Sequence, residues 1–333
     1  MEFHPSVDLV HTKETFDNNI NTRNSKSKSI LYTEKVFGEG LKNHTFLIFG
    51  GSISDPIGSV FSGLNGTWPD QFGERISKEK NSKITIINAA MGGTTSSQEV
   101  LRLITILHNK KANTAISLNG INETYFLDKN LYCDNDKVYG SRSTMRGLFK
   151  GRIKYQNKLL CRNICFIGIK STNTYQLIDK IRSQLKKRII TSKNKKIQEK
   201  YNDVYKQNIL KAVSIWEKNI NFMNAISKNQ GIDYFTILQP TYGLDMTLED
   251  LEKAKQSTDK KIKSISYLVT PSYLQEINNL YSLLRLKCSQ IKFCYDLSQD
   301  KAYNSNAYLF TDPRHPNYDG NKVLTEKIIN IIN

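Results

Sequence analysis

A serine follows a short apolar run and two glycines in the stretch Phe46-Leu-Ile-Phe-Gly-Gly-Ser52. Four consecutive apolar residues predict a buried strand, and the two glycines permit a turn that residues with a Cβ resist. Ligands of open α/β sheets bind beyond the carboxyl ends of the strands. Ser52 is therefore a candidate nucleophile, although Gly-Gly-Ser is also ordinary turn composition and alone leaves both interpretations open.

A base for this serine is available in Asp312-Pro-Arg-His315, near the other end of the sequence. A serine hydroxyl is a poor nucleophile unless a neighbouring base removes its proton. His315 follows Asp312 by three residues, a spacing that lets the carboxylate orient the imidazole and stabilise its protonated form. The alternative is a histidine in a proline-rich loop with no part in catalysis. The other histidines precede the first predicted strand or end a helix: His4, His11, His44 and His108.

Strands and helices are predicted to alternate along the chain. Apolar and β-branched runs predict five strands, over residues 45–50, 83–88, 114–118, 233–239 and 292–297. The spacing of apolar residues predicts helices over residues 68–76, 96–109, 203–229, 272–290 and 321–332. This order is typical of a parallel sheet with right-handed crossovers. The predicted fold class is α/β, a three-layer α/β/α sandwich with a parallel five-stranded sheet.

Two segments interrupt this pattern. Residues 1–44 are polar and are predicted to be an irregular N-terminal lead-in, so that residues 45–333 form the main domain. A basic helical insertion is predicted at about residues 125–200, and it includes the lysine-rich run Lys180–Lys200. This run is either a lid at the carboxyl edge of the sheet or a solvated helical face. Residues 245–263 are charged and are predicted to form another surface insertion.

The charge balance of the 333-residue chain is strongly basic. Lys and Arg number 48 against 31 Asp and Glu, which gives a formal net charge of +17. Such a balance favours anionic partners such as nucleic acid, acidic glycans or a lipid surface, although compositional drift toward lysine would give the same total.

The sequence predicts no cofactor, no metal site and a cytoplasmic location. Its first residues lack the basic start and apolar run of a signal peptide, and no stretch approaches the length of a transmembrane helix. Five cysteines in a long chain are predicted to be reduced packing residues. Cys161 and Cys165 have no matching Cys or His pair, so the spacing does not predict a zinc site.

Four short blocks at the predicted strand ends carry a resemblance to a known family. The chain resembles the SGNH (GDSL-like) hydrolase superfamily, whose fold is flavodoxin-like, and the blocks occur in the family's order. They are Gly50-Gly51-Ser52, Asn88-Ala-Ala-Met-Gly-Gly93, Gly120-Ile-Asn122-Glu123 and Asp312-Pro-Arg-His315. The sequence departs from the family at two positions, because Gly51 and Glu123 each stand where an aspartate is usual. An α/β-hydrolase elbow is excluded, since position 54 is a serine rather than a glycine.

The resemblance implies a catalytic role for five residues of these blocks. It implies that Ser52 is the nucleophile, His315 the base and Asp312 the acid that orients it. It also implies an oxyanion hole formed by the backbone N–H groups of Ser52 and Gly93 and by the side-chain amide of Asn122. Two of these residues have a structural alternative, because Gly93 suits any turn with positive φ and Asn122 suits a helix cap.

The predicted function is a serine esterase that acts through a Ser52 acyl-enzyme and removes an acetyl or other short acyl group from a sugar or glycan. One alternative is an O-acyltransferase, in which a sugar hydroxyl captures the same acyl-enzyme. Another is a non-catalytic basic protein that binds nucleic acid or acidic glycan, suggested by Lys180–Lys200. Nucleic acid is disfavoured, because this run lacks the interleaved aromatic residues of a stacking platform. The sequence leaves the oligomeric state open.

Overall fold

A six-stranded sheet forms the centre of the described structure. The computed structural model describes residues 2–4, 8–12, 29–30, 32–56, 66–127, 205–303 and 306–333. Three short N-terminal strands form a separate antiparallel sheet: β1 (Glu2–His4), β2 (Asp8–Thr12) and β3 (Ser29–Ile30). The central sheet contains β4 (Thr33–Phe37), β5 (Asn43–Gly50), β6 (Lys83–Asn88), β7 (Thr114–Asn119), β8 (Asp233–Leu238) and β9 (Cys294–Asp296).

Five strands of this sheet run parallel, as predicted, in the order β6-β5-β7-β8-β9. Strand β5 lies in the middle, and its last five residues are all buried. The register pairs Phe46 with both Ile86 and Thr114, so the carboxyl ends of β5, β6 and β7 meet at one edge. The loops that follow these three strands carry three of the four sequence blocks.

The sixth strand, β4, was not predicted, so the expectation of an irregular segment over residues 1–44 is wrong here. It pairs antiparallel with β6 at the sheet edge. Its residues alternate between partly buried and exposed, and the exposed positions include Glu34. Phe37 packs its ring directly against the backbone of Gly73. A strand with a single inward-facing aromatic residue lacks the apolar run by which the other strands were found.

Seven α-helices lie in the described part of the chain. They are α1 (Trp68–Lys80), α2 (Ser96–Leu107), α3 (residues 205–229), α4 (Leu248–Lys255), α5 (Lys260–Tyr267), α6 (Pro271–Cys288) and α7 (Tyr318–Ile332). Two 3₁₀ helices, Ile121–Leu127 and Ala307–Leu309, and two short strands, β10 (Phe310–Asp312) and β11 (His315–Pro316), complete the elements. Residues 245–263, predicted as a surface insertion, instead place Met246 and Leu251 in the core.

The helices cover both faces of the sheet, which confirms the three-layer prediction. Ile116 faces the core cluster that contains α1 and α7, and Arg75 of α1 pairs with Glu326 of α7 at 2.9 Å. Side chains alternate across a strand, so the next residue points to the opposite face. There Ser117 donates to Glu99 of α2. Asn119 on that face accepts a hydrogen bond from the indole of Trp216 in α3 at 2.8 Å.

The spatial contacts between Cα atoms divide the chain into two compact units. Met1–Ser141 with Lys211–Asn333 contains the central sheet, and Arg142–Leu210 is the second unit, of which residues 205–210 are described as helical. The predicted insertion, including Lys180–Lys200, lies outside the described residues except for residues 125–127. The division into a lead-in, a main domain and an insertion therefore stays a prediction.

One disulfide corrects the prediction that all cysteines are reduced. Cys288 at the end of α6 is bonded to Cys294 in β9, with a Cα–Cα distance of 5.2 Å. A helix end and the strand that follows it return to the same place in the fold, which the scatter of cysteines along the sequence does not reveal. Disulfides are rare in cytosolic proteins, and the cytoplasmic location stays a prediction. No helix in the described ranges is long and apolar enough to span a membrane.

Candidate active site

Ser52 lies directly after the central strand of the sheet, as predicted. Gly50 ends β5 with a φ of 140°, and a Cβ there would lie 2.5 Å from the carbonyl oxygen of Leu118. Glycine is therefore required at this turn. The carbonyl of Gly51 then accepts hydrogen bonds from the backbone N–H groups of Ser54 and Asp55, both at 3.1 Å. This tight turn leaves the Ser52 side chain partly exposed at the carboxyl edge.

The structure brings Ser52, His315 and Asp312 together. Ser52 Oγ lies 2.7 Å from Nε2 of His315, and Nδ1 of the same ring lies 2.7 Å and 2.9 Å from the two carboxylate oxygens of Asp312. Oδ1 of Asp312 also accepts from the backbone N–H groups of Arg314 and His315. Burial alone would raise the pKa of Asp312, but these hydrogen bonds and the charge of His315 lower it overall. The carboxylate is thus held ionised beside the ring.

The hairpin that carries Asp312 and His315 is fixed by the loop after β8. Asp312 and His315 pair across β10 and β11. The carbonyl of Pro313, in the turn between them, accepts from the N–H of Tyr242 at 2.8 Å and from the hydroxyl of Thr241 at 2.6 Å. This loop therefore sets the position of the imidazole relative to Ser52.

The loop after β6, which carries Gly93, is tied to the end of β5. The N–H of Met91 and the hydroxyl of Thr94 both donate to the carbonyl of Gly50, at 3.0 Å and 2.9 Å. Gly93 has a φ of 79°, in the region that favours glycine. Within the described residues, no protein acceptor bonds the backbone N–H of Ser52 or of Gly93. Both groups can therefore donate to a ligand.

Asn122 packs its amide on the backbone of Gly51. Its Nδ2 donates to the carbonyl of Thr94 at 2.7 Å, which uses one of the two amide protons. A Cβ on Gly51 would lie 2.2 Å from the same nitrogen. The aspartate that the family resemblance places at position 51 therefore does not fit beside Asn122, which gives a physical reason for Gly51. Asn122 thus lies against the turn that carries Ser52, and its amide bonds the residue after Gly93.

Glu123, the second departure from the family pattern, is fully buried, as is Glu99. Its Oε1 accepts from the N–H of Ser96 at 2.8 Å, at the first turn of α2. Glu99 of α2 accepts from Ser117 and Asn119. Burial, which hydrogen bonds only partly offset, raises the pKa of Glu99 to about 7 and that of Glu123 to about 8, the latter also through the charge of Glu99.

Sequence reasoning missed three groups near Ser52. Glu99 carried a detectable signal, because it stands on the buried face of α2, four residues before Leu103. Asp55 is buried and accepts from the N–H of Gly92 at 2.6 Å, which fixes the Gly93 loop. Arg314 lies over the ring of Tyr273 at 5.2 Å. The last two contacts join residues that are distant in the chain, and no local pattern encodes them.

No group of three or more His, Cys, Asp or Glu side chains in the described ranges is placed to hold a metal ion. The described site offers a hydroxyl, an imidazole and a carboxylate that contact one another in that order. This arrangement agrees with what the resemblance to SGNH hydrolases implies.

Comparisons with known proteins add the following. No protein-family model matches the chain, and no curated protein matches it. It is similar to the solved structures of three esterases. The esterase EstA from Pseudoalteromonas sp. is 13% identical over 87% of this chain and 96% of that one, with a TM-score of 0.40. The acetyl xylan esterase AlAXEase is 12% identical over 87% and 100%, with a TM-score of 0.45. A catalytic mutant of Axe2, an acetylxylan esterase from Geobacillus stearothermophilus, is 11% identical over 88% and 96%, with a TM-score of 0.44. Similarity at this level does not carry activity or substrate from one chain to another.

Proposed function

We propose that this chain is a serine esterase of the SGNH (GDSL-like) type that forms an acyl-enzyme on Ser52. The observation that supports this most strongly is the contact of 2.7 Å between Ser52 Oγ and His315 Nε2, with Asp312 on the other ring nitrogen. A serine hydroxyl with no chemical role would have no need of an imidazole oriented by a carboxylate.

The first chemical step is attack by Ser52 Oγ on the ester carbonyl. Because Asp312 accepts the proton on Nδ1, the lone pair of the neutral ring is on Nε2, which faces the hydroxyl. Nε2 takes the hydroxyl proton as the bond from Oγ to the carbonyl carbon forms. Asp312 stabilises the resulting imidazolium, and the ring then gives this proton to the leaving alcohol.

The negative charge of the tetrahedral intermediate is stabilised by donors that are already in place. The donors that we propose for this oxygen are the N–H groups of Ser52 and Gly93 and the second amide proton of Asn122. Such donors act because they need no reorganisation when the charge develops, and removal of one lowers kcat by about 10²–10³.

The acyl-enzyme is released by a second nucleophile. His315 removes a proton from water, which attacks the acyl carbon, and the ring returns that proton to Ser52 Oγ. We propose hydrolysis of an acetyl or other short acyl ester of a sugar or glycan, following the family resemblance. Transfer of the same acyl group to a sugar hydroxyl is the second candidate, since either acceptor can use the same base.

The test is hydrolysis of 4-nitrophenyl acetate by the wild type and by Ser52→Ala. The wild type is expected to release nitrophenol and acetate in equal amounts, and Ser52→Ala only at the uncatalysed rate. If nitrophenol release exceeds acetate release when a sugar is added, the enzyme is a transferase. Equal rates for wild type and Ser52→Ala would contradict the proposal and favour a binding protein.

A further inference from the structure

Arg314 is a cation in the turn between Asp312 and His315 that lacks a carboxylate partner. Two other arginines of the described chain form ion pairs: Arg75 with Glu79 and Arg285 with Asp245. In the described ranges no Asp or Glu side chain is paired with Arg314, whose guanidinium instead lies 5.2 Å from the centre of the Tyr273 ring.

The aromatic partner of Arg314 is held firmly in place. The hydroxyl of Tyr273 lies 2.9 Å from Oγ1 of Thr241, and the same hydroxyl of Thr241 donates to the carbonyl of Pro313, the residue before Arg314. Burial raises the pKa of Tyr273, so its phenol stays neutral near pH 7 and does not balance the charge of Arg314. Tyr273 also forms a hydrogen bond with the Arg314 side chain, so a neutral residue orients the guanidinium.

The Arg314–Tyr273 pair lies beside the proposed reaction centre. Arg314 immediately precedes His315, whose ring contacts Ser52. Tyr273 packs against the cluster that contains Ile121, the neighbour of Asn122. Arg314 is thus adjacent in sequence to the proposed base, and Tyr273 packs on a cluster adjacent to the proposed oxyanion donor.

The guanidinium of an arginine presents its N–H donors as a planar fork. This fork matches the two oxygens of a carboxylate or phosphate, and hydrogen bonds to charged groups are stronger than neutral ones. Asp312 does not fill this position, because its oxygens already accept from His315 and from two backbone N–H groups. A net charge of +17 also favours approach of an anion.

We propose that Arg314 is a specificity residue that binds a carboxylate or phosphate on the alcohol part of the ester. The natural substrate is then an acylated acidic molecule, such as a sugar that bears a carboxylate or phosphate. This inference rests on the proposed esterase function and adds the charge of its substrate.

The experiment compares three acetyl esters that differ only in the group opposite the ester: 4-acetoxybenzoate, 4-acetoxyphenyl phosphate and the neutral methyl 4-acetoxybenzoate. We expect the wild type to prefer at least one anionic ester over the neutral ester by about 10- to 100-fold in kcat/KM, since hydrogen bonds to charged groups contribute roughly 1.5–3 kcal/mol. Preference for the carboxylate or for the phosphate identifies which anion the site takes. In Arg314→Gln this preference should vanish, mainly through KM, and in Arg314→Lys it should be intermediate because an ammonium cannot form the fork.

The matched control is Arg75→Gln, which removes one positive charge on α1 and should keep the wild-type preference. If the wild type hydrolyses all three esters equally well, the inference is wrong while the esterase function stands, and this result needs no variant to fold. If Arg314→Gln loses the same factor on every ester, Arg314 acts by placing His315, and the inference is again wrong. If no ester is hydrolysed at all, the proposed function itself fails.

Discussion

Replacement of Gly51 by alanine tests how closely Asn122 is tied to the serine loop. The new Cβ would lie 2.2 Å from Nδ2 of Asn122, whereas ordinary contacts begin at 3.4 Å. The amide nitrogen must therefore move by more than 1 Å. Its hydrogen bond to the carbonyl of Thr94, at 2.7 Å, is lost or redirected with it.

The size of the effect follows from the role proposed for this amide. Loss of one oxyanion donor lowers kcat by about 10²–10³, equivalent to about 2.7–4 kcal/mol, with little change in KM. Asn122→Ala should show the same loss. The double variant Gly51→Ala/Asn122→Ala should be no worse than Asn122→Ala alone, because the short alanine side chain at position 122 leaves room for the new Cβ. The two effects are thus strongly non-additive.

The assay is kcat and KM for 4-nitrophenyl acetate with all three variants, and melting curves confirm that each is folded. The control is Gly92→Ala in the neighbouring loop, whose Cβ would meet Asp55 at 3.4 Å and Ser52 at 3.7 Å and so finds space. It should stay within a few-fold of the wild type. A Gly51→Ala enzyme of wild-type activity, or a double variant whose losses multiply, would refute the proposed contact.

Three further predictions concern the acid, the buried carboxyl pair and the disulfide. Asp312→Ala should retain a higher kcat/KM than His315→Ala, because Asp312 only orients and stabilises the imidazole. The loss in Asp312→Ala should also become smaller from pH 6 to 9. If both variants are equally inactive over this range, Asp312 does more than orient the ring. Burial raises the pKa of Glu123 to about 8 in the folded protein, whereas the same group in the unfolded chain loses its proton above about pH 4.5. The free energy of unfolding should therefore fall as the pH rises from about 4.5 to 8. Glu123→Gln should reduce that fall in urea unfolding measured at pH 5 and 8, and an unchanged pH dependence would contradict the assignment. Cys294→Ser should lower the free energy of unfolding by about 2 kcal/mol through loss of the bond to Cys288, and a reductant should lower the Tm of the wild type but not of the variant.

The residues of the candidate site could be found from the sequence because they follow strands. Ser52, Gly93 and Asn122 each come shortly after an apolar run, and the carboxyl ends of neighbouring parallel strands meet in space. Asp312 and His315 do not follow a strand of the central sheet, and their spacing together with the family resemblance identified them. The four blocks were therefore predicted by local patterns, one topological rule and the family resemblance.

Contacts between residues that are distant in the sequence could not be predicted from local patterns. Nothing in the sequence indicates that Asn122 lies on Gly51, since that contact depends on how two loops from different strands meet. Strand β4 escaped notice because its charged residues alternate with few apolar ones at an exposed edge. The bond between Cys288 and Cys294 depends on a helix and a strand returning to one place. In each case the deciding distance is set by tertiary packing.

The central claim, that Ser52 is a nucleophile activated by His315, is tested most directly by reaction with a fluorophosphonate probe. Intact mass and peptide mapping would give the number and the position of adducts. We predict one adduct per chain, on Ser52, absent in Ser52→Ala and formed at least 10²-fold more slowly in His315→Ala. An unlabelled wild type, an adduct that persists in Ser52→Ala, or undiminished labelling of His315→Ala would contradict the account.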